Sequence, residues 1–340
     1  MKKKRFCIVT NGFKCYPFNF FPPVTKFYHL AKALNTKQLN STLPRPLVHN
    51  SNDYYRPLEV NEIPRAWISQ PTSVICPTFL DRFTSATLNR KEEMTIGFRE
   101  CTKMPELRER TLLEVGGTIL AAQLAYRYGL ATNCAGGTHH ASPSCGAGYT
   151  IINDLAVTAN FLLRPQLNGG TIADVHKVLV VDCDVHQGDG TARFVEEGVM
   201  NETEFVTYSI HCENNYPTIK ANSTYDIGLP DYTEDAEYLE ALKKSVTKVL
   251  DDQQPDFVLY DAGVDVHKDD FLGRLNLSDE GIRQRDVWVF ETCVQRGIPV
   301  VGVIGGGYDK DPLKLARRHS IVHEAAAFIW RKYHLWDRKL

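Results

Sequence analysis

Val178-Leu-Val-Val-Asp-Cys-Asp-Val-His-Gln-Gly-Asp-Gly-Thr191 changes character after its fourth residue. The run 178–181 is short, apolar and mostly β-branched, as suits a strand buried on both faces of a parallel sheet. Polar residues follow at once: Asp182, Asp184 and His186, spaced at period two. In an extended chain these side chains point the same way, about 7 Å apart from one to the next. Two of them can then reach one metal ion. A third ligand from another strand end would complete a catalytic site with room left for water. Asp265, in Ala262-Gly-Val-Asp-Val-His267, is the natural third. An Asp/His/Asp set suits Zn²⁺, and Fe²⁺ or Co²⁺ fit the same donors.

The strand-then-polar pattern recurs. Apolar runs at 6–10, 205–210, 257–260 and 300–304 read as further strands. Asp261 to Asp270 follows the run at 257–260, and Gly305-Gly-Gly-Tyr308 follows that at 300–304. Helical patterns lie between the strands. One covers 106–128, with Leu107, Leu112, Val115, Ile119 and Leu124 at helical spacing; another covers 233–250, after Pro230-Asp231. A third, 278–295, opens on Ser278-Asp279-Glu280 and is stopped by Gly297-Ile-Pro. Strands alternating with helices predict one α/β domain over 1–340, with helices on both faces of a parallel sheet. Ligands in such sheets gather beyond the carboxyl ends of the strands. Three polar clusters fall there. Any one alone is explained as a turn; three together imply convergence on one site.

The rest of the composition is that of an ordinary globular enzyme. The chain has 340 residues, 43% hydrophobic and 24% charged, with 39 basic against 41 acidic residues and a net charge of -2. That balance carries no footprint of nucleic-acid binding. The basic start, Met1-Lys-Lys-Lys-Arg5, leads into an apolar run too short for a secretory signal or a membrane span. A cytoplasmic or nuclear protein with reduced thiols is expected, since the nine cysteines form no Cys-x-x-Cys pair. Cys145 and Cys183 lie near the polar motifs, and lining or buried thiols are commoner than nucleophiles.

Gly136-Gly-Thr-His-His140 supplies the other half of a hydrolytic site. Two adjacent buried histidines would each need a polar partner. A carboxylate can provide it, orienting each ring through a His–Asp hydrogen bond, and Asp182 and Asp189 are available. Tyr308 follows three glycines, whose bare backbone lets a ligand approach closely.

Several motifs together resemble the zinc-dependent histone deacetylases and their bacterial relatives: GGTHHASPSCGAGYTIIND, VDCDVHQGDGT, YSIHCENNYP, YDAGVDVHKDDFLGRLNLS and VIGGGYDKD. The likeness runs from about Pro105 to Val322, and HQGDGT, HCENNYP and LGRLNLS look most like the class IV branch. The resemblance implies an arginase/deacetylase fold, a three-layer αβα sandwich around an eight-stranded parallel sheet. It implies that Asp184, His186 and Asp265 bind zinc. His139 and His140, paired with Asp182 and Asp189, would flank the attacking water, His140 as general base and then acid. Tyr308 would donate to the substrate carbonyl, while Gly148, Tyr149 and Gly306 would line the tunnel for the acylated side chain. A structural potassium ion would lie near Asp182, Asp184 and Ser209. The partner implied is an acylated lysine peptide or protein, with long acyl chains favoured if the class IV likeness holds.

Before residue 100 the likeness fades. The stretch 74–83, with Asp81 and Arg82, and the aromatic run 13–21 are the candidates for rim contacts. A rival reading is an amidohydrolase of acylated polyamines, for which Glu213 would recognise a second ammonium. A non-catalytic scaffold is the third, and the complete set of site residues argues against it.

Overall fold

Seven strands form one sheet among the described residues: β1 (Ile8–Val9), β2 (Leu130–Asn133), β3 (Val178–Asp182), β4 (Phe205–Cys212), β5 (Tyr225–Leu229), β6 (Phe257–Asp261) and β7 (Val300–Val303). This computed structural model describes residues 73–337, the strand Ile8–Val9, and Leu30 and Leu34. The order is β1-β2-β7-β6-β3-β4-β5, and every pairing is parallel. β2, β3, β4, β6 and β7 are buried along their whole length, which is why β3, β6 and β7 read as nearly unbroken apolar runs. Among the strands whose burial is described, only β5, at the edge, alternates in exposure.

The strand order dictates the layers. Chain passage from β2 to β3 to β4 steps one way across the sheet; passage from β5 to β6 to β7 steps the other way. Right-handed crossovers then place the two sets of helices on opposite faces. Pro105–Tyr128, Asp154–Leu163 and Asp189–Glu196 pack together on one face; Asp235–Gln253, Asp279–Gln295 and Pro312–Lys332 pack together on the other. β3 and β6 are neighbours whose connections leave in opposite directions, so the crevice of the sheet opens between their carboxyl ends.

Local signals set the helix ends. Pro105 starts its helix, and Gly129, at φ 92°, ends it with its N–H donating to the Ala125 carbonyl. Ser278 caps its helix by accepting from the Gly281 N–H, and Asp311 caps the last helix by accepting from Leu313 and Lys314.

Some expectations shift. Eight strands were implied and seven stand here; residues 35–72 lie outside the described residues. Of the run at 6–10, Ile8 and Val9 are described, and they pair with Thr132 and Asn133 at the end of the four-residue β2. The helix expected at 233–250 is Asp235–Gln253. Strand β3 stops at Asp182, so Asp184 and His186 do not lie on an extended chain. A bend brings them together instead: the Asp184 carboxylate accepts from the main-chain N–H of His186 at 2.9 Å. No helix among the described residues is long and apolar enough to cross a membrane.

Candidate active site

Four strand ends contribute. β2 leads into Gly136-Gly137-Thr138 and the histidine pair, β3 into Asp184 and His186, β6 into Asp265, and β7 into Gly306 and Tyr308. Asp184, His186 and Asp265 are buried, and their donor atoms lie within 4.8 Å of one another. His186 Nδ1 is 3.0 Å from Asp184 Oδ1 and 3.2 Å from Asp265 Oδ2. The other carboxylate oxygens are fixed by main chain: Gly306 N–H donates to Asp184 Oδ2 at 2.7 Å, and Val185 N–H to Asp265 Oδ1 at 2.9 Å.

This donor set fits a zinc ion. Asp265 Oδ2 is buried with no main-chain donor and only the His186 ring beside it, a costly state for an anionic oxygen unless a cation answers it. Burial disfavours charge on His186, yet its hydrogen bonds to Asp184 and Asp265 outweigh burial and raise its pKa to about 10. The two carboxylates thus demand positive charge at this spot. Two oxygens and one imidazole nitrogen leave a fourth position open, the arrangement of catalytic zinc. Iron would accept the same donors. The region implied for potassium differs: Ser209 Oγ already bonds His211 Nδ1 at 3.0 Å, and Asp182 Oδ1 accepts from Asp184 N–H at 3.0 Å.

The histidines are buried side by side, ring centroids 4.1 Å apart, and held by different carboxylates. His139 Nδ1 meets Asp182 Oδ2 at 2.8 Å, and His140 Nδ1 meets Asp189 Oδ1 at 2.7 Å. Their charge states diverge. Burial opposes charge on His139, but Asp182, Asp184 and Asp261 surround it and hold its pKa well above the usual value. For His140, burial and the charged neighbour His139 prevail over Asp189 and bring the pKa down to about 4. The two environments thus favour charge on His139 and neutrality on His140, whose Nε2 is free of the Asp189 bond.

Close approach explains the glycines. A Cβ on Gly148 would stand 2.4 Å from His140 Cδ2, and one on Gly306 would stand 2.1 Å from Asp265 Oδ2. Gly306 therefore abuts the metal-site carboxylates as well as the chamber. Tyr149, half-buried at φ 65°, lies 6.4 Å from the Tyr308 ring, and Tyr308 lies 6.4 Å from His186. Burial, then the charges of Asp265 and Asp184, keep the Tyr308 hydroxyl protonated, its pKa well above the ordinary phenol value. A chamber of about 40 Å³ is lined by both histidines, Gly148, Tyr149, Gly306 and Tyr308, and by Arg110 and Glu114 from the long first-layer helix.

Three residues that sequence reading passed over hold this arrangement. Asp154, buried at the start of its helix, accepts from Gly137 and Thr138 N–H at 3.1 and 2.8 Å and so fixes the turn before the histidines. Asp270 Oδ2 accepts from Tyr308 N–H at 2.6 Å, tying the β6 loop to the β7 loop. Tyr216 sets its ring edge-on 4.9 Å from that of His140, at the mouth of the site. The motif HCENNYP contained it, but nothing in the spacing marked it for that position.

Other candidates fall elsewhere. Arg82 pairs with Glu92 at 2.5 Å, joining two surface helices. Glu213 packs against Gly228 of the edge strand. Burial pushes the Cys183 thiol far up, which removes it as a nucleophile. The run 13–21 lies outside the described residues.

Residues 47–323 match the family described as histone deacetylase domain. An uncharacterized protein of Picosynechococcus sp. is 42% identical over 266 residues, covering 78% of this chain and 83% of that protein. Histone deacetylase 2 of Arabidopsis thaliana is 32% identical over 59% of this chain and 50% of its own length. An acetoin utilization protein AcuC of Staphylococcus aureus is 31% identical over 52% of this chain and 46% of its own. The chain thus spans about half the length of these two curated relatives. The crystal structure of the HDA15 HD domain superposes over 95% of this chain and 90% of that one, with TM-score 0.67 at 17% identity, a likeness of fold. The match to the family covers most of the chain, and the chain belongs to the histone deacetylase family of the arginase/deacetylase superfamily, as a hydrolase of its amide-cleaving type.

Proposed function

We propose that this protein removes short acyl groups from lysine side chains of peptides or proteins, through one catalytic domain centred on Asp184, His186 and Asp265. The observation that carries this reading is the buried histidine pair, each ring bonded through Nδ1 to its own carboxylate, facing a small chamber shared with Tyr308. A zinc ion on the three donors would polarise the acyl carbonyl and acidify water. The remaining work belongs to the chain. His140, neutral and anchored through Nδ1 to Asp189, takes a proton from the attacking water at Nε2 and passes it to the departing amine. His139, held charged by Asp182, stabilises negative charge developing on the substrate. Tyr308 keeps its proton and donates it in a hydrogen bond to the carbonyl oxygen. Gly148 and Tyr149 form the wall along which the aliphatic stem passes. A potassium ion near Asp182 and Ser209 belongs to the same reading, and no step depends on it.

The chamber favours short acyl groups. The free space beside the histidines is small, about 40 Å³, which suits an acetyl-sized group better than a long chain. A second reading, long acyl chains in keeping with the class IV likeness, has its own support. A neighbouring pocket of about 1110 Å³, lined by Met94, Leu107, Phe98 and Tyr149, shares the last two residues with the chamber. Movement of Phe98 and Tyr149 would join them. Against a polyamine substrate, the mouth over His140 carries Tyr216, while Glu213 stands by the edge strand.

Zinc-loaded protein assayed on acetyl- to myristoyl-lysine peptides and on acetylated polyamines tests the proposal. Highest kcat/KM on the short acyl-lysines is expected. Preference for myristoyl selects the second reading, preference for polyamines removes lysine, and no turnover on any acyl-amine removes the hydrolytic assignment of these residues.

A further inference from the structure

β3 and β6 pair in register up to Asp182 opposite Asp261, and there the ladder ends. The strands must part, because the crevice between them holds the acidic donors. Parting leaves the next main-chain carbonyls buried without ladder partners, a state that folded proteins avoid. Here one side chain takes them. Arg285, fully buried on the helix Asp279–Gln295, donates from Nη1 to the Cys183 carbonyl at 3.0 Å and to the Gly263 carbonyl at 2.7 Å. Nη2 donates to the Ala262 carbonyl at 3.2 Å, and Nε to Asp286 Oδ1 at 2.9 Å. Tyr260 O–H donates to the same Asp286 oxygen at 2.5 Å.

The positions of those carbonyls matter. Cys183 immediately precedes Asp184, and Ala262 and Gly263 lie just before Asp265. The guanidinium therefore grips both ligand-bearing loops at once, from the sheet face covered by the helix Asp279–Gln295. Space there is tight: a Cβ on Gly263 would stand 2.2 Å from Asp184 Oδ2. A small drift of either loop would alter the separation of the two carboxylates. A buried arginine without full pairing is strongly destabilising, so its retention at this point needs a reason. The planar fork matches three carbonyls in a way that a lysine ammonium does not.

We propose that Arg285 is a positioning residue that sets the spacing of Asp184 and Asp265 and thereby the metal affinity of the site. This rests on the reading of those residues as metal ligands. Full-length protein is stripped of metal, and zinc affinity is measured by chelator competition for the wild type, Arg285→Lys and Arg285→Met. The zinc dissociation constant of both variants should rise about 10–100-fold, as for other residues that orient metal ligands. The methionine variant should lose more, having neither charge nor donors. A purely structural role would lower the melting temperature of the metal-free protein and leave the zinc dissociation constant of the folded variants unchanged, which would overturn the proposal. Wild-type protein that binds no zinc would overturn the ligand assignment itself, a separate failure. Should neither variant fold, the unmutated protein decides. The Arg285 Nε–H, observed by ¹⁵N-arginine labelling, should exchange more slowly once zinc is added, and an exchange rate indifferent to zinc defeats the idea.

Discussion

Two regions meet at this site and are built differently. Around Asp184 and Asp265, position is imposed by backbone N–H groups, by glycines pressed against the carboxylates and by a buried guanidinium behind them. At the mouth, Tyr216 and Phe271 are 43% and 56% exposed and reach the centre by ring edges, Tyr216 to His140 and His186 and Phe271 to Tyr308. Their loops are joined by two exposed bonds, Asn215 Nδ2 donating to the Leu272 carbonyl at 2.9 Å and Arg274 Nη1 to the Asn214 carbonyl at 3.3 Å. The centre has one arrangement open to it because each alternative strands a buried charge. The mouth can change side chains at little cost to folding. Chemistry and choice of substrate are therefore separable in this protein, and that separation can be attacked experimentally.

The largest effect is expected inside the centre. Asp265→Ala should abolish stoichiometric zinc in elemental analysis and reduce turnover to background; one retained zinc per chain would move the centre elsewhere. Next, Tyr308→Phe should keep its zinc and lose about 10²–10³-fold in kcat, the usual loss for one oxyanion donor. Wild-type kcat in that variant would assign the hydroxyl no part in the reaction. The histidine split is tested in the metal-free protein by ¹⁵N chemical shifts. His140, its pKa down at about 4, should stay neutral as pH falls through 6.5, the ordinary value, while His139 stays charged as pH rises through it. Two rings titrating together near 6.5 would erase the distinction. At the mouth, Tyr216→Ala should raise KM by about 10-fold at most with kcat nearly unchanged, the scale of one aromatic contact. Phe271→Ala should do less still, because its ring is the more exposed. A collapse of kcat in either would show that mouth and centre are not separable.

The same contrast governs what the sequence discloses. Asp184, His186 and Asp265 are legible because each follows an apolar strand at short range, where side-chain type and position are coupled. The inference was right about convergence and wrong about its route, since period two gives way to a bend after Asp182. Asp154, Asp270 and Arg285 were illegible for a common reason: each acts on main chain remote in sequence, 102 residues away for Arg285 and Cys183. The helix Asp154–Leu163 was missed because it is buried on every side and shows no polar face. β5 was missed because an edge strand with alternating exposure lacks an apolar run, and β2 because its four residues, Leu130–Asn133, are half polar. Tyr216 was quoted in a motif without its position being derivable, for a mouth residue is placed by loop shape.

The confined chamber beside the histidines also bears on how a turnover ends. On the proposed reading, cleavage leaves the acid in a space of about 40 Å³ behind Tyr149 and Tyr308, while the amine remains tethered to a chain in solvent. The amine then departs first and the carboxylate last. In steady-state kinetics the free acid should accordingly act as a competitive product inhibitor against the intact amide, and the deacylated peptide should not. On that reading the order of exit follows from where each product is held, independent of which lysine is presented.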